Sequence, residues 1–157
     1  MLTTPPKRKT KPKLGVKDMG RVMTEALIEN VADLYAEKLH VIRSDEVRKM
    51  QITDALVDTG ATLLSLPKRI IKQLGLEKIG EKRVTSSAGL RTSGMYGPVR
   101  LTIQGRTCTM DVMEVPNTVP VLVGQLPLEH LDFVIDMRGR KLIGNPAHGG
   151  EHMYELF

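Results

Sequence analysis

The sequence predicts a mainly β, mainly antiparallel domain with one or two short helices. Three observations carry that reading. Apolar and polar residues alternate with a period of two over several short stretches, as in strands with one buried face. Gly and Pro signals punctuate those stretches at short intervals. One segment alone shows a compact helical apolar face with both start and stop signals. At 157 residues the chain is long enough for one domain with a genuine core. It shows no internal repeat and no second domain.

The elements follow in order. Arg21 to Glu29 reads as a first strand, with Val22, Thr24, Ala26 and Ile28 on one face. Val31 to Val47 is open between a helix with a stripe of Val31, Leu34, Tyr35 and Leu39 and an irregular insertion. Arg48 to Val57 alternates through Met50, Ile52 and Leu56 and predicts a strand. A short helix follows. Pro67 suits its first turn, Ser65 is a candidate cap, and Ile70, Ile71 and Leu74 form its apolar face. Gly75 stops it in the left-handed position. Lys82 to Ser86 is a strand. Met95 to Gln104 and Arg106 to Val115 form a hairpin around Gln104-Gly105. Pro120 to Val123 is another strand, Pro127 to Leu131 a helical turn, and Phe133–Asp136 and Lys141–Ile143 a closing pair turned at Arg138-Gly139.

Composition bounds the function. Aromatic residues make up 3% of the chain and Trp is absent, so the core must be built from Leu, Ile, Val and Met. The net charge of +5 equals the five bases Lys7, Arg8, Lys9, Lys11 and Lys13, which leaves the remainder neutral. Residues 1–19 are therefore expected to form a disordered basic tail, either solubilising or able to touch nucleic acid or an anionic membrane. Few aromatics argue against a base-stacking surface. No apolar stretch follows the tail as in a secretory signal, and none approaches the ~20 residues of a membrane helix. Cys108 stands alone, so no disulfide forms within the chain and no thiolate zinc cluster is available. A cytoplasmic location is the default expectation.

The informative stretch is Ala55 to Pro67, ALVDTGATLLSLP. An apolar strand runs into Asp58, and a carboxylate there is costly unless something uses or pairs it. Thr59 offers a hydroxyl for a tight turn, and Gly60 lets another backbone or a ligand approach. Ala61 and Thr62 are small; Leu63, Leu64 and Leu66 return the chain to the core. This presents a carboxylate on the floor of a cleft. Asp-Thr-Gly alone arises by chance in a few per cent of chains of this length. The alternative is an ordinary surface turn after a strand.

The stretch resembles the active-site loop of aspartic proteases: a hydrophobic pair, Asp-Thr/Ser-Gly, then two small residues. A second resemblance lies at Val121-Leu122-Val123-Gly124, 66 residues after Asp58 and followed by a short helix. Between them, Ser86 to Gly94 falls where the family has its flap, with Ala88, Gly89 and Leu90 as candidate substrate-covering residues. The resemblance spans residues 20–146 and is closest to the retropepsin-like, single-lobe branch. It implies a closed, antiparallel β-barrel-like acid-protease lobe, with Asp58 catalytic and Thr59, Gly60, Ala61 and Thr62 supporting its loop. It also implies a homodimer. The mechanism needs two carboxyl groups sharing a proton, and Asp18-Met19-Gly20, the other Asp-x-Gly, lacks both the strand and the hydroxyl. Two-fold symmetry would supply the second Asp58. Thr59 would then bond to the partner's loop, and an extended peptide or protein substrate would lie near Gly60 and Ala61. No metal or organic cofactor is implied.

The sequence departs from that family in the inserted Val31–Val47 and in a flap poor in Gly. A non-catalytic dimeric peptide-binding module of the same fold is the alternative from another class, and a nucleic-acid adaptor acting through the tail is a third. His148, Glu151 and His152 suggest a metal site, but Gly149 and Gly150 deny them a helix and a flexible polar tail over 147–157 is preferred. Its end, from Tyr154, could pair across a dimer interface or fray. Asp136 is expected to cap a turn, Cys108 to be a small core residue, and Asp54 to face solvent or a dimer contact.

Overall fold

The computed structural model describes residues 21–156. The basic tail and Asp18-Met19-Gly20 lie outside the described residues. Nine strands and three α-helices follow one another: β1 (Val22–Asn30), α1 (Val31–Lys38), β2 (Lys49–Val57), β3 (Leu64–Pro67), α2 (Lys68–Gln73), β4 (Lys78–Ser86), β5 (Gly89–Ile103), β6 (Arg106–Val115), β7 (Leu122–Val123), α3 (Gln125–Leu131), β8 (Phe133–Asp136) and β9 (Lys141–Gly144).

Six strands close into a barrel. The order runs β1, β2, β7, β3, β6, β5 and returns to β1, while β4 hangs on the free side of β5. Closure rests on Leu27 to Asn30 pairing with Thr102 to Val99. β5 can serve both partners because it is long and bent. Its first half pairs with β4 as far as Tyr96, and its second half begins pairing with β1 at Val99. A bulge at Gly97-Pro98 separates the halves. Gly97 has φ +135°, which side chains rarely adopt, and Pro98 has no N–H to leave unpaired. Pairing is mainly antiparallel, as expected, but β2–β7 and β3–β6 are parallel. The interior is filled by Ile28, Leu64, Leu66, Leu74, Leu101, Ile103, Val99, Val112, Val123 and Leu131, all essentially inaccessible. Phe133 is the one buried aromatic ring among the described residues, as the composition required.

Several boundaries differ from expectation for identifiable reasons. In β2, Ile52, Ala55 and Val57 face inward and Leu56 does not. Thr24 pairs with Ala55 but Ala26 with Ile52, so β2 carries one extra residue and its inward phase changes partway along. Asp54 is exposed there, as expected. β3 was not legible as a strand. All four of its residues are buried, so it has no alternation. Ser65 therefore lies in a strand and caps nothing, and Pro67 precedes α2 rather than starting its first turn. Gly75, at φ +64°, ends that helix region as predicted. Ser86 to Gly94 is largely strand, since β4 and β5 continue to a two-residue turn at Ser87-Ala88. The Gln104-Gly105 hairpin and the β8–β9 pair form as read.

The inserted segment begins as a helix, but the proposed stripe does not hold it. Tyr35 and Leu39 are exposed. Polar groups anchor it instead. Asn30 caps α1 by accepting from Asp33 N–H, and its own amide donates to Leu74 O at 2.8 Å. The buried Asp33 carboxylate accepts Arg48 Nε at 2.8 Å, Nη2 at 3.0 Å and backbone N–H at 2.9 Å. That fork holds the Asp33 carboxyl below its ordinary range.

The segment after β9, read as a flexible tail, is tethered to the domain. Asp132, at the end of α3 with φ +59°, is buried. It accepts from Met153 N–H and the Asn145 amide and meets His148 Nδ1 at 2.7 Å. His148 Nε2 lies 3.1 Å from Glu155, and Arg106 donates to the carbonyls of Leu131, Asp132 and Gly150. Hydrogen bonding to His148 holds Asp132 down at about 2, and the same bond raises His148. Stabilisation from His148 is complete below its ordinary value of 6.5 and is lost as pH rises through the raised one. That from Asp132 is complete above 3.8 and is lost as pH falls toward 2. The unfolding midpoint of the wild type relative to a His148→Gln variant should therefore be highest between those ordinary values and decline on both sides. A difference that stays constant from pH 3 to 9 would remove the tether's titration.

Candidate active site

Asp58 follows directly on β2. Its N–H donates to Val123 O at 3.0 Å, and Leu56 N–H donates to Val121 O at 2.8 Å, so β7 holds the end of β2. The chain then turns tightly: Ala61 N–H bonds Asp58 O, and Gly60 N–H bonds Asp58 Oδ1 at 2.9 Å. That second bond fixes the rotation of the carboxylate and leaves Oδ2 without a partner among the described residues. Leu63 leads into β3, which is antiparallel to β7.

The turn also closes against α3. Gln125 and Leu126, the first two helical residues, donate N–H to Ala61 O and Thr62 O, both at 2.9 Å. These are amides that a helix start leaves without partners, so the loop carbonyls act as the cap. Gly124 lies between the two segments, and its N–H donates to Leu63 O at 3.2 Å. A Cβ on Gly124 would sit 2.6 Å from Ala61 O and from Leu63 O, closer than any side chain is tolerated. The two sequence signatures thus meet backbone to backbone.

Above the loop is a cleft of about 740 Å³. Its floor includes Asp58, Gly60, Ala61, Thr62, Leu63 and Ser65; Met113, Val115 and Leu122 form one wall. Residues 82–86 of β4 form the other, so the β4–β5 hairpin overhangs the carboxylate. Asp58 is half-buried and is the only acid lining the cleft among the described residues. Thr59 is exposed beside it, and its hydroxyl makes no hydrogen bond among the described residues.

The structure gathers most of the expected residues and misplaces some. Asp58, Gly60, Ala61, Thr62 and Leu122 surround the cleft, while Val123 and Gly124 support it from beneath. Ala88, Gly89 and Leu90 lie at the exposed hairpin tip and do not line the cleft. The lining falls earlier on the hairpin, at Lys82 to Ser86. Lys82 to Ser86 reads as a strand, but four of the nine β4 residues, Lys78, Glu81, Lys82 and Arg83, are charged and no apolar stripe marks the side turned to the cleft. His148, Glu151 and His152 do not converge. His148 turns to Asp132 and Glu155, His152 approaches His130 O, and no three ligating side chains among the described residues could hold a metal ion. Cys108 is half-buried, and burial pushes its thiol up to about 11, away from nucleophilic use.

A closed six-strand barrel with a carboxylate at a loop–helix junction, under an overhanging hairpin, is the architecture of an acid-protease lobe. Residues 46–135 match the family model described as aspartyl protease, so this chain belongs to that family. The matched span contains the Asp58 loop, the hairpin and Val121 to Gly124; β1 and α1 precede it. No curated protein matches the chain. No helix among the described residues is long and apolar enough to cross a membrane.

The close approach at Gly124 makes a sharp contrast with Gly60, where a Cβ would meet only Asp58 Oδ1 at 3.2 Å. Gly124→Ala should cost about 2–3 kcal/mol in denaturant unfolding, because the obstructing atoms are backbone. Gly60→Ala should cost less than ~1 kcal/mol, because a side-chain oxygen can shift. Equal losses would show that the junction yields more easily than its spacing implies.

Proposed function

We propose that the protein is a retropepsin-like aspartic endopeptidase that works as a homodimer, with Asp58 of each subunit forming the catalytic pair. The observation that carries this is the Asp58 carboxylate itself. It is set on the cleft floor by Gly60 N–H, and among the described residues its other oxygen has no partner and no second acid lines the cleft. A single carboxylate cannot act as both base and acid in one step. Two at ~3 Å cannot both ionise, so they hold one proton between them. The exposed, unbonded Thr59 hydroxyl supports symmetry. It is available to the partner's loop, where it would hold the two carboxyl groups in one plane.

In this reading a peptide binds extended between the loop and the β4–β5 hairpin, hydrogen-bonded as an added strand. The ionised Asp58 takes a proton from a water bound between the pair. The protonated Asp58 polarises the scissile carbonyl. The oxygen adds to carbon, the leaving nitrogen receives a proton, and the C–N bond breaks without a covalent enzyme intermediate. The hairpin tip at Ala88, Gly89 and Leu90 covers the substrate by moving toward the cleft, and residues 82–86 already flank it.

Two measurements test this. Asp58→Asn should lower peptide cleavage by at least ~10³-fold while leaving the thermal midpoint within a few degrees. Cleavage rate should also rise with the square of protein concentration below the dimer dissociation constant, and only in the range where sedimentation finds dimers. Equal cleavage by wild type and Asp58→Asn, or a strictly linear rate from a monomeric protein, would overturn the proposal.

A further inference from the structure

The cleft has an unusual charge balance. Apart from Asp58, the ionisable side chains lining it among the described residues are Lys82 and Arg83, both basic and both exposed. Neither forms an ion pair with a carboxylate among the described residues. The basic side chains around them that have acid partners are Lys78, bonded to Glu81 at 2.8 Å, and Lys68, bonded to Glu114 at 3.4 Å. Arg91, across the hairpin from Val84, is also exposed and forms no ion pair among the described residues.

Strand pairing shows where these charges point. In an antiparallel ladder, directly paired residues share a face. Lys82 pairs with Ser93 and Val84 with Arg91. Ser93 is buried, Val84 is half-buried and lines the cleft, and Met95, two residues beyond Ser93, is buried and paired with the cleft-lining Met113. Lys82 therefore belongs to the face of β4 turned to the cleft, with Val84. Arg83 alternates to the opposite face and contributes charge at the rim.

The floor carries an independent sign. Ser65 lies on β3, fully buried, paired with Met113 and Leu122, which both line the cleft as Ser65 does. Its Oγ is the one buried side-chain polar atom among the described residues without a hydrogen-bond partner. A buried hydroxyl without an acceptor is destabilising, and such atoms are rare unless a ligand or water completes them. An accepting group that entered the cleft could take a hydrogen bond from the Ser65 hydroxyl and complete it.

Resting on the peptidase reading above, we propose that the cleft selects peptides bearing an acidic side chain beside the scissile bond. Lys82 supplies the opposing charge from the hairpin and Ser65 Oγ a hydrogen bond from the floor. Two-fold symmetry would place one Lys82 on each side of the scissile bond, so acids on either side are accepted. Exposed lysines bind carboxylates weakly, so the effect is a preference and not an absolute requirement.

Binding can be read apart from cleavage, in the full-length Asp58→Asn protein, using fluorescent peptides of one sequence with Glu, Gln or Lys flanking the central bond. The Glu peptide should bind about 3–5-fold tighter than the Gln peptide at low salt. The advantage should shrink at high ionic strength and invert toward the Lys peptide in Lys82→Glu. Ser65→Ala should weaken the Glu peptide alone and leave the Lys peptide unchanged. Equal binding of all three peptides, or a Glu preference that survives Lys82→Glu, would overturn the inference. Either could occur with Asp58-dependent hydrolysis by the wild type intact, so the two readings fail separately.

Discussion

Everything at the cleft depends on the backbone junction between the Asp58 turn and the start of α3. Carbonyls of Ala61, Thr62 and Leu63 each receive an N–H from Gln125, Leu126 and Gly124. The junction satisfies amides that a helix start would otherwise leave unpaired, and it fixes three consecutive residues of a turn that has no regular structure of its own. It requires that nothing project from position 124. Sixty-six residues separate the two halves in sequence, so the site exists only once the barrel has closed.

Closure in turn is a matter of strand length and one bend. β7 has two residues, yet it pairs with both β2 and β3 and so joins the two sides of the carboxylate-bearing turn. β5 spans fifteen residues and changes partner at the Gly97-Pro98 bulge, where one half completes the barrel and the other leaves it to become the hairpin. The overhang is therefore continuous with a core strand. Its base is held by the barrel while its tip is exposed, which suits a cover that must both locate and release a substrate.

How much of this was legible depended on which side chains carried a pattern. Strands with one wet face, such as β1 and β6, announce themselves by alternation, and Gln104-Gly105 marks its hairpin. The Asp58 turn and Val121 to Gly124 were recognisable because the geometry restricts residue type there: small residues where backbones meet, apolar ones beneath. β3 was hidden because it is buried on both faces, and of β4 only Lys82 to Ser86 was legible, because Lys78 to Glu81 carries no alternating apolar face. The extra residue in β2 shifted the inward phase from Leu56 to Ala55 and Val57, a change that requires knowledge of the partner strand. The Asp33–Arg48 fork and the Asp132–His148 tether were invisible for a similar reason. Each joins residues that are far apart in sequence or unremarkable one by one, and only packing pairs them.

One consequence concerns the outermost strand. Among the described residues β4 is bonded to β5 along a single side, so its other edge offers backbone amides and carbonyls without a strand partner there. Such an edge invites a neighbouring molecule to extend the sheet indefinitely. Lys78, Glu81, Lys82 and Arg83 make that docking costly by crowding charge along it. The hairpin's charges thus also act as a guard against fibrous self-assembly, and neutralising them would trade colloidal stability for whatever was gained in the cleft.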